Sequence, residues 1–198
     1  MIGLIGAHRV GKSYLVKELT RGPFRELEVS ISKWQKELGY DSSNMDYSWE
    51  TRKDIQTALL HKFAEVLNDS RHKVIRAVVD TTKVISERTP LDLIGYAYLN
   101  APPNPAESDM KWLYDYATKC IQLTNVYYDQ VVLIQPGIEF IHDPKSASED
   151  SIEILNAHYQ NVLMDSRLEP MKFIMDRTVT DIRDRVAYVL GAVNVNNI

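Results

Sequence analysis

A glycine-framed segment near the beginning of the chain has the residue types of a phosphate-binding loop. The segment GAHRVGKS, residues 6–13, fits the pattern G-x-x-x-x-G-K-[ST], in which Gly6 and Gly11 frame the loop and Lys12 and Ser13 follow it. In such a loop, backbone N–H groups and the N-terminus of the next helix attract phosphate oxygens. The lysine adds a charge at the β- and γ-phosphates, and the serine hydroxyl binds Mg²⁺. The spacing therefore predicts a nucleoside triphosphate site.

We expect the whole loop to contact the nucleotide. The predicted ATP-binding residues of this segment are Gly6, Ala7, His8, Arg9, Val10, Gly11, Lys12, Ser13 and Tyr14. His8 and Arg9 have an alternative role as solvated loop side chains. We also expect Lys12 to be catalytic, because a fixed positive charge stabilises the phosphoryl group during its transfer.

A second pair of chemically capable residues, Glu87 and Arg88, follows an apolar run at 84–86 and precedes Pro90. If that run is a parallel strand, the pair lies at the edge of the sheet where ligands bind. The carboxylate could accept a proton or hold water on Mg²⁺, and the guanidinium could bind phosphate oxygens in a fixed fork. The predicted catalytic residues are therefore Lys12, Glu87 and Arg88, and the predicted metal ligands are Ser13 and Glu87. The alternative is a surface ion pair.

The elements that must position these residues alternate along the chain. Apolar runs predict strands, and residues repeating at helical spacing predict helices. The predicted strands cover 1–5, 83–90, 130–136 and 172–176, with 26–30 a short strand or the edge of a loop. The predicted helices begin at 12 and cover 55–67, 91–99, 108–124, 151–164 and 179–193. This alternation predicts an α/β three-layer sandwich, a parallel sheet of about five strands with helices on both faces. Without an internal repeat or linker, residues 1–198 are predicted to form one domain.

Composition narrows the classes of protein. The chain has 198 residues, a formal net charge of −4 and one cysteine, Cys120. A single cysteine allows no internal disulfide, which suits a reducing compartment and predicts a cytoplasmic protein. The acidic balance argues against a nucleic-acid partner, although a local basic patch would restore one. No apolar stretch reaches the length of a membrane span, so we expect no membrane partner.

Three segments together carry a resemblance to a known family. GAHRVGKS, YSWETRKDIQ (47–56) and ERTPLDLIGYAY (87–98) resemble a group of small P-loop kinases common in bacteriophage genomes. These kinases look similar to deoxynucleoside monophosphate kinases and to the nicotinamide riboside kinase domain. More distantly they resemble thymidylate kinases and deoxyribonucleoside kinases, which carry Asp-Arg or Glu-Arg-Ser at the equivalent strand end. The resemblance implies a P-loop kinase fold, ATP and Mg²⁺ as cofactors, a nucleotide or nucleoside acceptor and, for a phage-encoded protein, the host cytoplasm. Related kinases are often homodimers.

The resemblance also implies roles for further residues. It places an acceptor-binding cover at about 30–60 and a lid at about 137–150. The implied acceptor-binding residues are Trp34, Tyr47, Arg52, Gln56, Arg88, Asp92 and Tyr96. Arg177 and Thr178 would hold the adenine ring, and His142 and Lys145 belong to the lid. Alternative roles are core packing for the aromatic residues, helix capping for Asp92, and capping of the last helix by Thr178 or Thr180. Lids of this kind carry arginines, which this one lacks, so Lys145, Arg9 or Arg167 would have to supply the charge.

The sequence thus predicts an ATP-dependent kinase whose first-choice acceptor is a deoxynucleoside monophosphate. Other acceptors are a nucleoside, nicotinamide riboside or a hydroxyl on a modified base in DNA. From another class, an ATP-binding regulatory module would bind nucleotide and phosphorylate no small molecule. A purely structural protein would not bind ATP at all.

Overall fold

The order of strands in the sheet explains where the predicted loop and the acid–arginine pair lie. The computed structural model describes residues 1–41, 46–76, 83–139 and 148–194. Its strands and helices, in chain order, are β1 Ile2–Ile5, α1 Lys12–Leu19, β2 Phe24–Leu27, α2 Ile31–Glu37, α3 Trp49–Arg76, β3 Lys83–Ser86, α4 Pro90–Leu99, α5 Glu107–Tyr127, β4 Gln130–Ile134, α6 Glu149–Leu163, β5 Met171–Met175 and α7 Ile182–Asn194.

The described strands form one five-stranded parallel sheet with the order β2-β3-β1-β4-β5. Successive strands after β1 are added first on one side of it and then, from β4, on the other. The chain therefore changes direction across the sheet beside β1. In open α/β sheets, ligands bind outside the carboxyl ends of the strands at such a point. The loop after β1 and the residues after β3 both lie at this edge.

Burial differs between the central and the outer strands. All four residues of β1 and all five of β4 are buried, whereas β2 and β5 each have one buried residue and are otherwise partly or fully exposed. Strands covered by helices on both faces read as unbroken apolar runs, because neither face meets water. The strand expected at 26–30 begins two residues earlier, because β2 spans Phe24–Leu27. It lies at the edge of the sheet and has the polar sequence FREL.

Helix α4 begins directly after the acid–arginine pair and fixes its position. Thr89 is its N-cap, and Pro90 occupies the first turn, as predicted from the sequence. The Thr89 hydroxyl accepts from the Leu91 N–H, and the Asp92 carboxylate accepts from the Thr89 N–H at 2.8 Å. Such a capping box satisfies backbone donors that the first turn of a helix leaves unpaired. It fixes the direction in which the chain leaves β3, and hence the positions of the two residues before Thr89.

Candidate functional site

The loop at residues 6–13 encloses a concave run of backbone between β1 and α1. Gly6 and Gly11 have φ angles of 149° and 82°, and Arg9 is a non-glycine residue at φ 62°. Left-handed conformations of this kind let the backbone curl tightly, and glycine adopts them at little cost. Helix α1 begins at Lys12, and its N-cap residue, Gly11, has no side chain that could cap the helix. Its first N–H groups are therefore available to an anion.

Lys12 is buried inside the curl. Only 3% of the residue is exposed, and its Nζ donates to the carbonyls of Gly6 at 2.7 Å and Ala7 at 2.6 Å. Burial and the nearby Arg88 guanidinium lower the pKa of Lys12 well below its ordinary value. A cation in that situation gains from any anion that enters the loop, because the anion offsets both its lost hydration and the like charge.

Glu87 lies across from the loop, as the chemistry of the two segments requires. The Ser13 hydroxyl donates to the Glu87 carboxylate at 2.7 Å, although 74 residues separate them. A hydroxyl and a carboxylate are both oxygen ligands of the kind that Mg²⁺ uses together with substrate phosphates and water. The described residues contain no group of three or more His, Cys, Asp or Glu side chains that could hold a metal ion. One hydroxyl and one carboxylate fit a magnesium ion whose other ligands would be phosphate oxygens and water.

Arg88, the second residue of the acid–arginine pair, contacts the same loop. One of its nitrogens, Nη1, donates to the Gly6 carbonyl at 3.0 Å and to Asp92 Oδ1 at 2.9 Å. Burial lowers the pKa of the Arg88 guanidinium, but Asp92, together with Tyr96 and Tyr159, outweighs this effect, so the pKa is raised overall. Lys12 and Arg88 therefore converge on one carbonyl oxygen, that of Gly6. The two cations lie close together at the rim of the curl, where their combined field favours an anion.

His8 connects the loop to α4. Its Nδ1 lies 3.4 Å from Arg88 Nη2, and its Nε2 lies 2.7 Å from the hydroxyl of Tyr96. An arginine only donates, so we assign the proton of the neutral ring to Nε2, which donates to Tyr96. The His8 residue is exposed by surface area, but loss of hydration at its ring and the charges of Arg88, Lys12 and Arg9 lower the pKa of His8 to about 3. His8 is thus an uncharged link between the loop and the helix that follows the acid–arginine pair.

Two further carboxylates at this edge were not predicted from the sequence. In the register of β2 and β3, Leu27 lies beside Ser86, so Glu28 and Glu87 follow at neighbouring strand ends. Burial, Glu87 and Glu28 raise the pKa of Glu26, which indicates that the three acids share one environment. The signal in the sequence was the acid directly after a strand. It could not be used, because the sequence does not tell which strand lies next to β3.

The implied acceptor-binding residues are only partly open to a ligand. Trp34 is 6% exposed and packs edge-on against Phe63 in the core, which does not favour a stacking role for its ring. Gln56 is also buried, and the Tyr116 hydroxyl donates to its backbone and side-chain oxygens.

Of the remaining implied acceptor residues, Tyr47 and Arg52 contact each other, and Tyr96 belongs to α4. Arg52 Nε donates to the carbonyl of Tyr47 at 3.0 Å, and Arg52 also contacts the Asn100 side chain. The hydroxyl of Tyr47 accepts from the Asp41 N–H at 2.8 Å. Tyr96 presents its hydroxyl to His8, on the side of α4 that faces the loop.

The implied adenine-binding residues follow β5. Arg177 makes a bidentate ion pair with Glu153 of α6, in which Nη1 donates to Oε1 at 2.7 Å and Nη2 to Oε2 at 2.6 Å. Both side chains are about half exposed. The N–H and hydroxyl of Thr178 both donate to Asp176 Oδ1. The alternative role of Thr178 as the cap of the last helix is wrong, because the Asp181 carboxylate accepts from the Arg183 N–H at the start of α7.

A cavity of about 290 Å³ opens between the loop after β1 and the segment after β5. Residues of both segments line it, together with the residues that follow β4 and the first turn of α6; those with polar or charged side chains are His8, Arg9, Glu139, Glu149, Glu153 and Arg177. The lid residues His142 and Lys145 lie outside the described residues. The predicted substitution of the missing lid arginine by Arg167 is not favoured, because Arg167 pairs with Asp165 and Thr118 and lies over the ring of Tyr114.

Cys120 is buried, and burial raises the pKa of its thiol. Such a thiol is a poor nucleophile, which agrees with a packing role. Among the described residues no helix has the length and apolar character to cross a bilayer.

Comparison with known proteins identifies the fold. No family model and no curated protein matches the chain. Among solved structures, it is similar to a deoxyadenosine kinase from M. mycoides with bound dCTP, with a TM-score of 0.62, 14% identity and 98% of each chain covered. A structure of the same kinase with dCMP and a flexible dCDP as products gives a TM-score of 0.55 at 16% identity, again over 98% of each chain. It is also similar to NadR protein in complex with NAD and AMP-PNP, with a TM-score of 0.64 and 16% identity, over 98% of this chain and 48% of that one. The chain therefore has the α/β fold of P-loop nucleoside and nucleotide kinases, as predicted from the sequence.

Proposed function

We propose that this chain is an ATP- and Mg²⁺-dependent kinase that transfers the γ-phosphate to a hydroxyl of a (deoxy)nucleoside. The observation that carries the proposal is the convergence of four side chains on one loop. Ser13 donates to Glu87, and Lys12 and Arg88 both donate to the carbonyl of Gly6. Phosphoryl transfer depends mainly on positioning and charge stabilisation, and this arrangement supplies both. Residues 1–198 would form a single kinase domain, with the cover at about 30–60 and the lid at about 137–150.

Each side chain has a role in the proposed reaction. Ser13 and Glu87 would hold Mg²⁺ together with phosphate oxygens, and the ion would supply neutralising charge. Lys12 would leave its two carbonyl partners to contact the β- and γ-phosphates. Arg88 would bind the transferred phosphoryl group while Asp92 keeps its guanidinium plane fixed. Because Glu87 is engaged with Ser13, we assign the general base to Glu28, the carboxylate at the neighbouring strand end. Glu87 stays the alternative base that the sequence predicted.

The charges at the acceptor side favour a nucleoside over the monophosphate that the sequence put first. Glu26, Glu28 and Glu87 share this edge, the charge of Arg88 is matched by Asp92, and His8 is neutral. A phosphate group would enter a region that already holds three carboxylates, whereas a hydroxyl carries no charge. The deoxyadenosine kinase to which this chain is similar is named for a nucleoside, which supports the same choice. The monophosphate remains the second candidate, because Arg52 and Arg88 could together bind one.

The test is a panel of acceptors incubated with ATP labelled at the γ-phosphate. It contains deoxynucleosides, ribonucleosides, nicotinamide riboside, the matching monophosphates, and DNA with and without modified bases. Transfer to a nucleoside is the expected result, and transfer only to monophosphates would favour the second candidate. Binding of ATP without any labelled product would indicate a regulatory module. No binding of ATP with Mg²⁺ would indicate a structural protein and end the proposal.

Variants assign the roles. Lys12→Ala should abolish transfer without changing the fold, whereas Lys17→Ala, an exposed lysine of the same helix, should not. Glu28→Gln should lower kcat at every Mg²⁺ concentration, and Glu87→Gln should raise the Mg²⁺ concentration needed for half-maximal rate. Circular dichroism confirms the fold of each variant. Full activity after Lys12→Ala would remove Lys12 from the mechanism, and an unchanged kcat after Glu28→Gln would return the role of base to Glu87.

A further inference from the structure

Arg185 of helix α7 is a buried arginine that contacts the loop after β1. Only 1% of the residue is exposed. Its Nη1 donates to the carbonyl of Val10 at 2.7 Å, and its Nε donates to the carbonyl of Val179 at 2.8 Å. Val10 belongs to the loop that would hold the triphosphate, and Val179 to the segment 176–181 that would hold the base. One side chain therefore joins two segments that are far apart in sequence.

The surroundings of Arg185 are unusual for a buried charge. Its Nη2 has no hydrogen-bond partner in the described part of the chain, and no carboxylate described there forms an ion pair with it. Burial alone lowers the pKa of the guanidinium. Buried charges are normally paired, because removing them from water is costly. A fold that needed only a filled space at this position would be better served by an apolar side chain, so the contacts of Arg185 call for another explanation.

The contact with Val10 has a direct consequence for the loop. In a trans peptide, the C=O and the following N–H point in opposite directions. Because Arg185 holds the Val10 carbonyl on the side of α7, the Gly11 N–H must point away from α7. The packing is close, since a Cβ at Gly11 would lie 2.9 Å from Arg185 Nη1 and 2.7 Å from a methyl group of Ile138. The loop cannot turn this peptide without displacing Arg185.

We propose that Arg185 is a positioning residue that couples the phosphate-binding loop to the base-binding segment 176–181, so that the nucleotide meets both in their binding geometry. The inference rests on the proposed function, because it takes ATP as the ligand that spans the two segments. Arg185 touches neither the nucleotide nor the reacting atoms. It acts through the carbonyls of Val10 and Val179, and its loss weakens ATP binding while leaving the acceptor side of the site, around Arg88 and Tyr96, unchanged.

The test compares Arg185→Met, Arg185→Lys and the control Arg183→Met. Arg183 lies on the same helix, is largely exposed and pairs only with the nearby Asp181 among the described residues. We expect Arg185→Met to raise the Kd and KM for ATP about 10- to 100-fold, as for the loss of one or two hydrogen bonds from a charged donor. The KM for the acceptor should stay within about twofold. Arg185→Lys retains the charge and can reach one carbonyl, so it should be intermediate. Arg183→Met should bind ATP like the wild type.

The outcomes separate this inference from its basis. A merely structural Arg185 would lower the fraction of folded protein, which reduces the maximal rate and leaves the KM for ATP unchanged; that result overturns the inference. Equilibrium binding of ATP, measured below the melting temperature of each variant, keeps the test independent of transfer. If the wild type binds ATP but phosphorylates no acceptor, the proposed kinase fails while the prediction for ATP affinity stands. If the wild type binds ATP and both Arg185 variants bind it equally well, only the inference fails.

Discussion

The ion pair between Arg88 and Asp92 offers the sharpest test of how the site is held together. Asp92 is fully buried, and its carboxylate accepts from Arg88 Nη1 at 2.9 Å, from the Thr89 N–H at 2.8 Å and from the Thr89 hydroxyl at 3.3 Å. The change Asp92→Ala removes all three hydrogen bonds at once. Arg88, whose side chain is 11% exposed, would then keep its charge without a carboxylate partner.

The magnitude follows from the burial of the pair. Removing one partner of a buried ion pair costs about 3–5 kcal/mol, because the other charge stays buried and unpaired. For a chain of this size, each kcal/mol corresponds to a shift of about 2–4 °C in melting temperature, so we expect a decrease of about 6–20 °C. The control is Glu50→Ala, which breaks an ion pair of Lys53 with a largely exposed carboxylate. Exposed pairs contribute less than about 1 kcal/mol.

A double-mutant cycle separates the ion pair from the helix cap. Arg88→Met alone leaves Asp92 in contact with Thr89, and the double variant Arg88→Met, Asp92→Ala leaves no unpaired charge. Urea denaturation should show the double variant to be less destabilised than the sum of the single ones, by about 1–3 kcal/mol. A loss after Asp92→Ala no larger than that of the Glu50 control would refute the reasoning, as would strict additivity in the cycle.

Three further predictions use the same denaturation assay. Gly95→Ala should destabilise the protein by about 1–3 kcal/mol, because its Cβ would lie 2.4 Å from a tyrosine ring of α6, whereas Gly191→Ala, with open space around it, should stabilise α7 by about 0.5–1 kcal/mol. Between about pH 7.5 and 5, the wild type should lose more stability than His8→Gln. The reason is that His8 in the unfolded chain binds a proton near pH 6.5, whereas native His8, with a pKa of about 3, stays unprotonated. Equal losses of stability would contradict this. Glu153→Gln should cost less than about 1 kcal/mol, since its ion pair with Arg177 is half exposed, and a larger loss would indicate a structural latch.

The sequence was most informative where function or burial restricts the residue types. The loop at 6–13 was recognised because few residues fit its backbone, and β1 and β4 because both faces of a central strand must be apolar. The position of Pro90 in the first turn of α4 was predicted from local chemistry alone. These features depend on neighbours in the chain, which a sequence displays directly.

The features that were missed depend on contacts between distant segments. Helix α2 is short and lies in a stretch without clear periodicity. Glu28 became a candidate only when β2 was found beside β3, and Arg185 only when α7 was found against the loop after β1. Neither neighbour can be derived from composition or spacing. Arg185 in particular looks like one charge among several on an amphipathic helix, and only its burial distinguishes it from Arg183.

The direction of side chains on an extended backbone explains why the acid–arginine pair directly follows a strand. Glu87 and Arg88 are adjacent in sequence but act on different partners, Glu87 on the Ser13 hydroxyl and Arg88 on the carbonyl of Gly6 and the carboxylate of Asp92. Successive side chains of an extended backbone point in opposite directions, so two neighbouring residues can reach two sides of one loop. Helical backbone, which begins at Pro90, would turn successive side chains by about 100° and carry them along the helix axis. The two residues between the end of β3 and the cap of α4 are therefore the stretch where a carboxylate and a guanidinium can reach two sides of the loop.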